Sequence, residues 1–296
     1  MATKVLIIDA VSSLGQAIYQ AFESTTLAVL APVRSALDWT DAAALLAFIQ
    51  TNDVSIVVNT AGWSEAPTEA QQQELVLTAT ALGEAARAGS CSVIQLSSYR
   101  VFGGENKSSY DEADTPQPIS AAGEAFLRAE QVLAASLEHY ICLRLSWVLD
   151  ITGNAIFHRL LQDLTTPGPE LVVTHQRRGA PLSAMEVGRV VRAMVQQIFC
   201  GAENWGAIHL ASGDPCSSAE ITEVVAEILA RKGALQREWR AEALSVEQLE
   251  ELGEPDSAVL TVRRCRDNFG YQVKSWRQGL SHLVRIWLER QKENWD

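Results

Sequence analysis

Val5-Leu6-Ile7-Ile8-Asp9-Ala10-Val11-Ser12-Ser13-Leu14-Gly15 is the stretch on which the fold turns. Its first four residues form a short, unbroken apolar run, the pattern of a strand covered on both faces. A small, polar turn follows, and then a helical pattern from about residue 14 to 22. The same succession repeats outward. Residues 27–30 read as a second strand, 41–50 as a helix with Leu45, Leu46 and Ile49 on one face, and 54–59 as a third strand. Residues 69–88 read as a long helix, 92–97 as a fourth strand, 121–137 as a helix beyond a turn-rich stretch, and 141–145 as the next strand. Strands alternating with helices of this length predict βαβ units and a parallel sheet. Right-handed crossovers then place helices on both faces.

The pattern changes after about residue 165. A loop marked by Pro167, Gly168 and Pro169 precedes a strand at 171–173. Helices are predicted at 185–199 and 218–230, the second with Ser217 or Ser218 as its N-cap. A short strand is predicted at 207–210, an acidic helix at 244–252, and a turn at 253–255. Trp276, Leu280, Val284, Ile286 and Trp287 are spaced for a closing helix. The expectation is an α/β protein of two parts: residues 1–165 as a nucleotide-binding type of domain, and 166–296 as a smaller lobe interleaved with it.

Bulk properties narrow the function. The chain has 296 residues, 47% of them hydrophobic and 20% charged, ordinary for a protein with a sizeable core. A formal net charge of -12 disfavours nonspecific binding to nucleic acid or anionic lipid. The basic clusters Arg177–Arg178 and Arg263–Arg264–Arg266 read as solvated edges or anion contacts. No run approaches the ~18 apolar residues of a membrane span, and no basic stretch leads into a long apolar one, so a cytoplasmic location is expected. The five cysteines show no CxxC pair and read as reduced thiols. The five histidines show no metal-binding spacing, so no metal site is expected.

A series of motifs then resembles one family. Leu37-Asp38-Trp39-Thr40-Asp41 is similar to an LDxxD segment, and Val57-Val58-Asn59-Thr60-Ala61-Gly62 to a VVNxAA/AG strand end. Ser97-Ser98-Tyr99-Arg100-Val101-Phe102 resembles STDYVF, and Tyr110-Asp111-Glu112 with Pro116 and Pro118 resembles a YxE…P.P loop. Gly123 and Glu130 stand at the glycine of YGxxK and at the following GE, and Leu143–Val148, Asn154, Phe157 and His209–Gly213 continue the match. The series resembles the extended short-chain dehydrogenase/reductases, most closely the dTDP-4-dehydrorhamnose reductase group. That resemblance implies a Rossmann-like parallel sheet with a smaller C-terminal α/β substrate lobe. It places Asp9, Ser12, Ser13, Leu14, Gly15, Arg34, Asn59, Ala61 and Gly62 along a dinucleotide. It places Asn154, Arg177 and Arg178 on the substrate side.

The departures fall at the chemistry. The family carries three glycines after its first strand, for a tight turn, for phosphate approach and for helix packing. Here those places hold Asp9, Ser12 and Gly15. A carboxylate ~4 Å from a phosphate charge repels it by about 4 kcal/mol at an effective dielectric near 20. The family's proton-handling tyrosine and lysine correspond to Ala122 and Phe126, which neither donate nor accept a proton. Ser98 keeps the family's Ser/Thr position but is a poor acid alone. Tyr99 is a candidate substitute.

These losses make a catalytically degenerate relative the leading expectation. Such a protein is not an enzyme, has no certain cofactor, and binds a nucleotide, a nucleotide sugar or a partner protein through the old cleft. Two alternatives stand beside it. One is an NADP(H)-dependent reductase or epimerase of sugar nucleotides with an atypical site; the other is a regulatory or structural subunit of another enzyme. If a dinucleotide binds, Arg34 favours NADP(H) over NAD(H). The resemblance also implies a homodimer formed through the helices at 69–88 and 121–137.

Overall fold

The opening apolar run becomes a strand covered on both faces. In the computed structural model, which describes residues 4–103, 107–152, 155–245, 248, 253–271 and 273–293, β1 (Lys4–Ile8) lies inside a six-stranded sheet. Val5 and Ile7 pack on one face against Leu14 and Ile18 of α1 (Ser13–Phe22). Leu6 and Ile8 pack on the other, with Leu45 of α2 (Ala42–Asn52) and Leu75 and Leu82 of α3 (Glu69–Gly89). Each such side chain contributes about 1.5–3 kcal/mol by leaving water. With both faces dry, no position in the strand is left for a polar residue, and that is why the run is unbroken.

The remaining sheet strands are β2 (Ala28–Leu30), β3 (Val54–Asn59), β4 (Ser92–Ser98), β5 (Tyr140–Leu145) and the later strand Gly206–Leu210. Across the sheet the order is Gly206–Leu210, β5, β4, β3, β1, β2, and every pairing is parallel. The chain therefore leaves β1 in one direction to reach β2 and in the other to reach β3. Such a reversal opens a crevice at the carboxyl ends of the strands, where ligands of parallel α/β folds settle.

Several helix starts carry their own signal. Asp41, Thr68 and Ser120 cap α2, α3 and α4 (Ala121–Ser136) with their side-chain oxygens. Past β5, helices α5 (Ile156–Thr165), α6 (Ala184–Phe199) and α7 (Ser218–Arg231) follow, and α6 lies against α1 on the sheet. Helices α5, α7 and Arg277–Glu293 enclose a separate core of Phe157, Leu161, Val225, Trp276, Val284 and Trp287. The predicted acidic helix at 244–252 lies largely outside the described residues. All five cysteines are free thiols, with Cys200 the exposed one. Among the described residues no helix is long and apolar enough to cross a membrane.

Candidate active site

The loop joining β1 to α1 forms the floor of the crevice. Asp9 has φ 58°, the left-handed conformation that a glycine adopts freely. Aspartate is among the few side chains that tolerate it. The Asp9 carbonyl accepts from Ser12 N–H (3.1 Å) and Ser12 Oγ (2.8 Å), so the tight turn survives without its first glycine. Thr60 Oγ1, from the end of β3, donates to Ile8 O at 2.8 Å and sits 3.2 Å from Ser12 Oγ, tying the loop to the neighbouring strand. Ser12 is also the N-cap of α1 and accepts from Gly15 N–H at 3.2 Å. At Gly15 a Cβ would lie 2.1 Å from Asp9 O, so the third glycine is required by close packing.

The Asp9 carboxyl is pushed up to about 6, first by burial and then by the negative charge of Glu74. Ser12, through its hydroxyl and N–H, pulls the other way. The anion-binding end of α1 thus keeps its geometry but carries an unwelcome carboxylate. Ser12 Oγ takes the Gly15 N–H, and the first-turn amides of Ser13 and Leu14 remain without intrahelical acceptors. This cradle fits the pyrophosphate of a dinucleotide.

Four residues expected along the cofactor path are held by neighbours of their own. Arg34 is not a free cation for the extra phosphate of NADP(H): it is ion-paired with Glu74, lies 3.5 Å from Asp38 Oδ1, and stacks 4.8 Å over Trp39. Trp39 Nε1 donates to the same Glu74 oxygen at 3.0 Å. Asn59 is fully buried, its amide donating to Gln95 Oε1 (2.7 Å) and its oxygen accepting from Ala61 N–H (3.1 Å). It therefore shapes the strand end and does not line an open path. Ala61 is likewise fully buried. Gly62, at φ 72°, turns the chain against α3, where a Cβ would meet Gln71 O at 2.4 Å.

At the end of β4 the family's proton machinery is replaced by packing. Phe126 is 1% exposed and belongs to the core, and Ala122 is half-buried in the first turn of α4. The intervening Gly123 keeps a purely steric duty: its Cβ would meet Arg100 O at 2.2 Å. Ser98 is buried, and its Oγ accepts from Arg100 N–H at 3.3 Å, capping a turn of 3-10 helix at Tyr99–Val101. Tyr99, the candidate substitute acid, is 1% exposed. Its hydroxyl donates to Glu254 Oε2 at 2.9 Å, and burial pushes its pKa up. Arg100 donates from Nε to Glu254 Oε1 at 2.9 Å, with Nη2 in an ion-pair contact at 2.8 Å that lacks hydrogen-bond alignment.

Beyond the ends of β3 and β5, a cavity of about 350 Å³ is lined among others by Glu65, Trp147, Arg159, Thr174, Arg177 and Thr222. Arg177 lies 3.9 Å from Glu254 Oε2, and its buried Nε has no partner among the described residues. Arg178 is exposed in a two-residue strand and does not line the cavity. Asn154 lies outside the described residues. Glu65 was not among the expected site residues. Its carboxyl accepts from Val148 N–H (2.7 Å) and Ile156 N–H (3.2 Å), supplying the cap that Ala155 cannot give α5. Burial, the largest cause, pushes it up to about 7. The one hint is a lone acidic residue in the short loop Trp63–Pro67.

Comparison with known proteins adds ancestry to this geometry. The family model "RmlD substrate binding domain" matches residues 3–288. A dTDP-4-dehydrorhamnose reductase of Sinorhizobium fredii is 27% identical over 207 residues, 69% of this chain and 69% of the relative. The crystal structure of a dTDP-4-dehydrorhamnose reductase from Clostridium acetobutylicum superposes with a TM-score of 0.81 at 22% identity, covering 96% of this chain and 99% of that one. A Bacillus anthracis dTDP-4-dehydrorhamnose reductase in complex with NADP gives 0.77 at 20% identity, covering 98% and 100%. The fold is therefore the one that these reductase structures share.

These findings overturn the expectation of a degenerate, non-enzymatic relative that only binds a ligand or a partner protein. The same holds for the expectation of a purely regulatory subunit. The physical error lay in equating two missing side chains with a missing reaction. A general acid is worth about 10²–10⁴ in rate, and hydride chemistry belongs to the cofactor.

Proposed function

The chain belongs to the RmlD substrate binding domain family, and on that premise we propose that it is a dinucleotide-dependent oxidoreductase reducing a ketone on a nucleotide sugar. Its named relatives are dTDP-4-dehydrorhamnose reductases, and the same substrate class is proposed here. The observation that carries the reading is the cavity of about 350 Å³ beside the strand-end crevice, with the buried and unpartnered Nε of Arg177 in its wall. A guanidinium with an open donor suits a diphosphate oxygen.

The dinucleotide, when bound, supplies the hydride. The chain's own residues hold and orient. The N-terminal amides of α1 at Ser13 and Leu14 receive the pyrophosphate, and Gly15 lets α1 approach the turn. Arg177 receives the sugar nucleotide. Ala122 and Phe126 have no proton to give, so the developing alkoxide takes its proton from water. The reaction proceeds more slowly than in relatives with a tyrosine there, by a factor within the ~10²–10⁴ of general acid catalysis.

The test is direct. Purified protein is mixed with reduced dinucleotide and dTDP-4-dehydrorhamnose, and the reduced sugar nucleotide is followed by chromatography. Turnover is expected, and Arg177→Ala should raise KM for the sugar nucleotide about tenfold or more while leaving dinucleotide affinity unchanged. No turnover with dTDP-, UDP- or GDP-linked keto sugars overturns the proposal. Self-association through α3 and α4 belongs to the same reading, supported by the exposed Leu77 on α3; a monomer in sedimentation equilibrium refutes it.

A further inference from the structure

We infer that this chain selects NAD(H) over NADP(H), and that Glu74 on α3 sets the choice by holding Arg34. The inference rests on the dinucleotide-dependent reading above. In parallel α/β folds an acidic side chain beyond the first βα unit receives the ribose 2′-hydroxyl of NAD, whereas an arginine accommodates the 2′-phosphate of NADP. Beyond β2 this chain has Arg34 and Asp38, and Glu74 of α3 reaches the same place in space through its ion pair with Arg34. Arg34 follows β2, and its guanidinium is consumed three times over, by the ion pair with Glu74, by Asp38 Oδ1 at 3.5 Å and by stacking on the Trp39 ring.

Glu74 is only partly committed. Its Oε1 takes both Arg34 and Trp39 Nε1. Its Oε2 has no hydrogen bond among the described residues and remains for a ribose hydroxyl. The surrounding charge points the same way. Asp9, Asp38 and Glu74 set three carboxylates against the single guanidinium of Arg34. Asp9 and Glu74 are close enough that Glu74 helps push the Asp9 carboxyl up to about 6. A 2′-phosphate adds a charge of about -1.5 to -2 to a pocket that is already negative. A 2′-hydroxyl adds none.

Calorimetric titration of the full chain with NADH and with NADPH at pH 8 tests this, alongside Glu74→Gln and Glu74→Gln/Arg34→Ala. The wild-type protein should bind NADH about tenfold or more tightly than NADPH. Glu74→Gln keeps an acceptor for Trp39, frees Arg34, and should tighten NADPH about tenfold or more while weakening NADH, whose ribose hydroxyl loses a charged acceptor. Adding Arg34→Ala should erase that gain. Wild-type preference for NADPH, or an equal shift of both cofactors in Glu74→Gln, overturns the inference and leaves the reductase reading standing. Binding of neither dinucleotide at millimolar concentration overturns both. The wild-type ratio decides the matter even if a variant fails to fold.

Discussion

Replacing Asp9 by glycine should tighten dinucleotide binding, and the gain should depend on pH. Asp9 carries the left-handed turn (φ 58°) without a glycine, and its carbonyl holds Ser12 and Thr60, while its carboxyl also meets the Ser12 hydroxyl and N–H. Asp9→Gly therefore leaves the carbonyl's hydrogen bonds intact and removes only the carboxyl's contacts with Ser12. It relieves about 1 kcal/mol of backbone strain and costs 0.5–1 kcal/mol in unfolded-chain entropy, roughly a wash for stability. What changes is charge. A carboxylate about 4 Å from a phosphate repels it by about 1 kcal/mol in water and about 4 kcal/mol at an effective dielectric of 20. For a half-buried group the working expectation is a gain of about tenfold or more in affinity. Because the folded carboxyl is raised from 3.8 to about 6, the group holds its proton below that value. Its contribution to stability is fully present below about 3.8 and is lost as pH rises through about 6. The penalty on phosphate follows the same sense, absent at low pH and complete by pH 8. Calorimetry with NAD⁺, whose pyrophosphate does not titrate in this range, should show wild type and Asp9→Gly converging near pH 5 and diverging at pH 8. Equal dissociation constants at pH 8, or a wild-type affinity flat from pH 5 to 8, would refute the reasoning.

Ala122→Tyr restores a proton donor in the first turn of α4 and should raise kcat about tenfold or more at unchanged KM; an unchanged kcat means that proton delivery does not limit turnover. Glu130→Ala removes the partner of Arg144, which is 5% exposed and held at 2.6 Å, and also strips the acceptor from Ser97 Oγ. Denaturant unfolding should report a loss of about 3–5 kcal/mol, and a loss under about 1 kcal/mol contradicts the burial argument. Glu65, raised from 4.5 to about 7, should contribute stability that is fully present below pH 4.5 and lost as pH rises through 7. Thermal unfolding of the wild type should therefore weaken between pH 5 and 8, and Glu65→Gln should flatten that slope; parallel profiles for the two proteins count against it.

The framework was legible because its signals are local. Val5–Ile8 must be dry on both faces, and Leu45 and Ile49 share one face of α2, facts that spacing alone conveys. The end of β4 at Ser98, one residue beyond the predicted 97, escaped notice because a strand end is set by its neighbour: Ser98 pairs with Leu145 of β5. The site was legible as identities and illegible as partnerships. Glu254 meets Tyr99 across 155 residues and Arg100 across 154, Glu65 meets Val148 across 83, and Glu74 meets Arg34 across 40. No local pattern records such pairs, and they decide whether a tyrosine is available or an arginine is free. The loop after β1 shows the same limit from the other side. Its glycines were read as three duties, two of them lost with the residue type. The structure separates two properties. The conformation at position 9 and the packing at Gly15 persist, while the charge at position 9 is new. Damage of that kind is electrostatic, and a proton reverses it. Dinucleotide affinity in this chain should therefore follow the ionisation of Asp9 more closely than the count of its glycines.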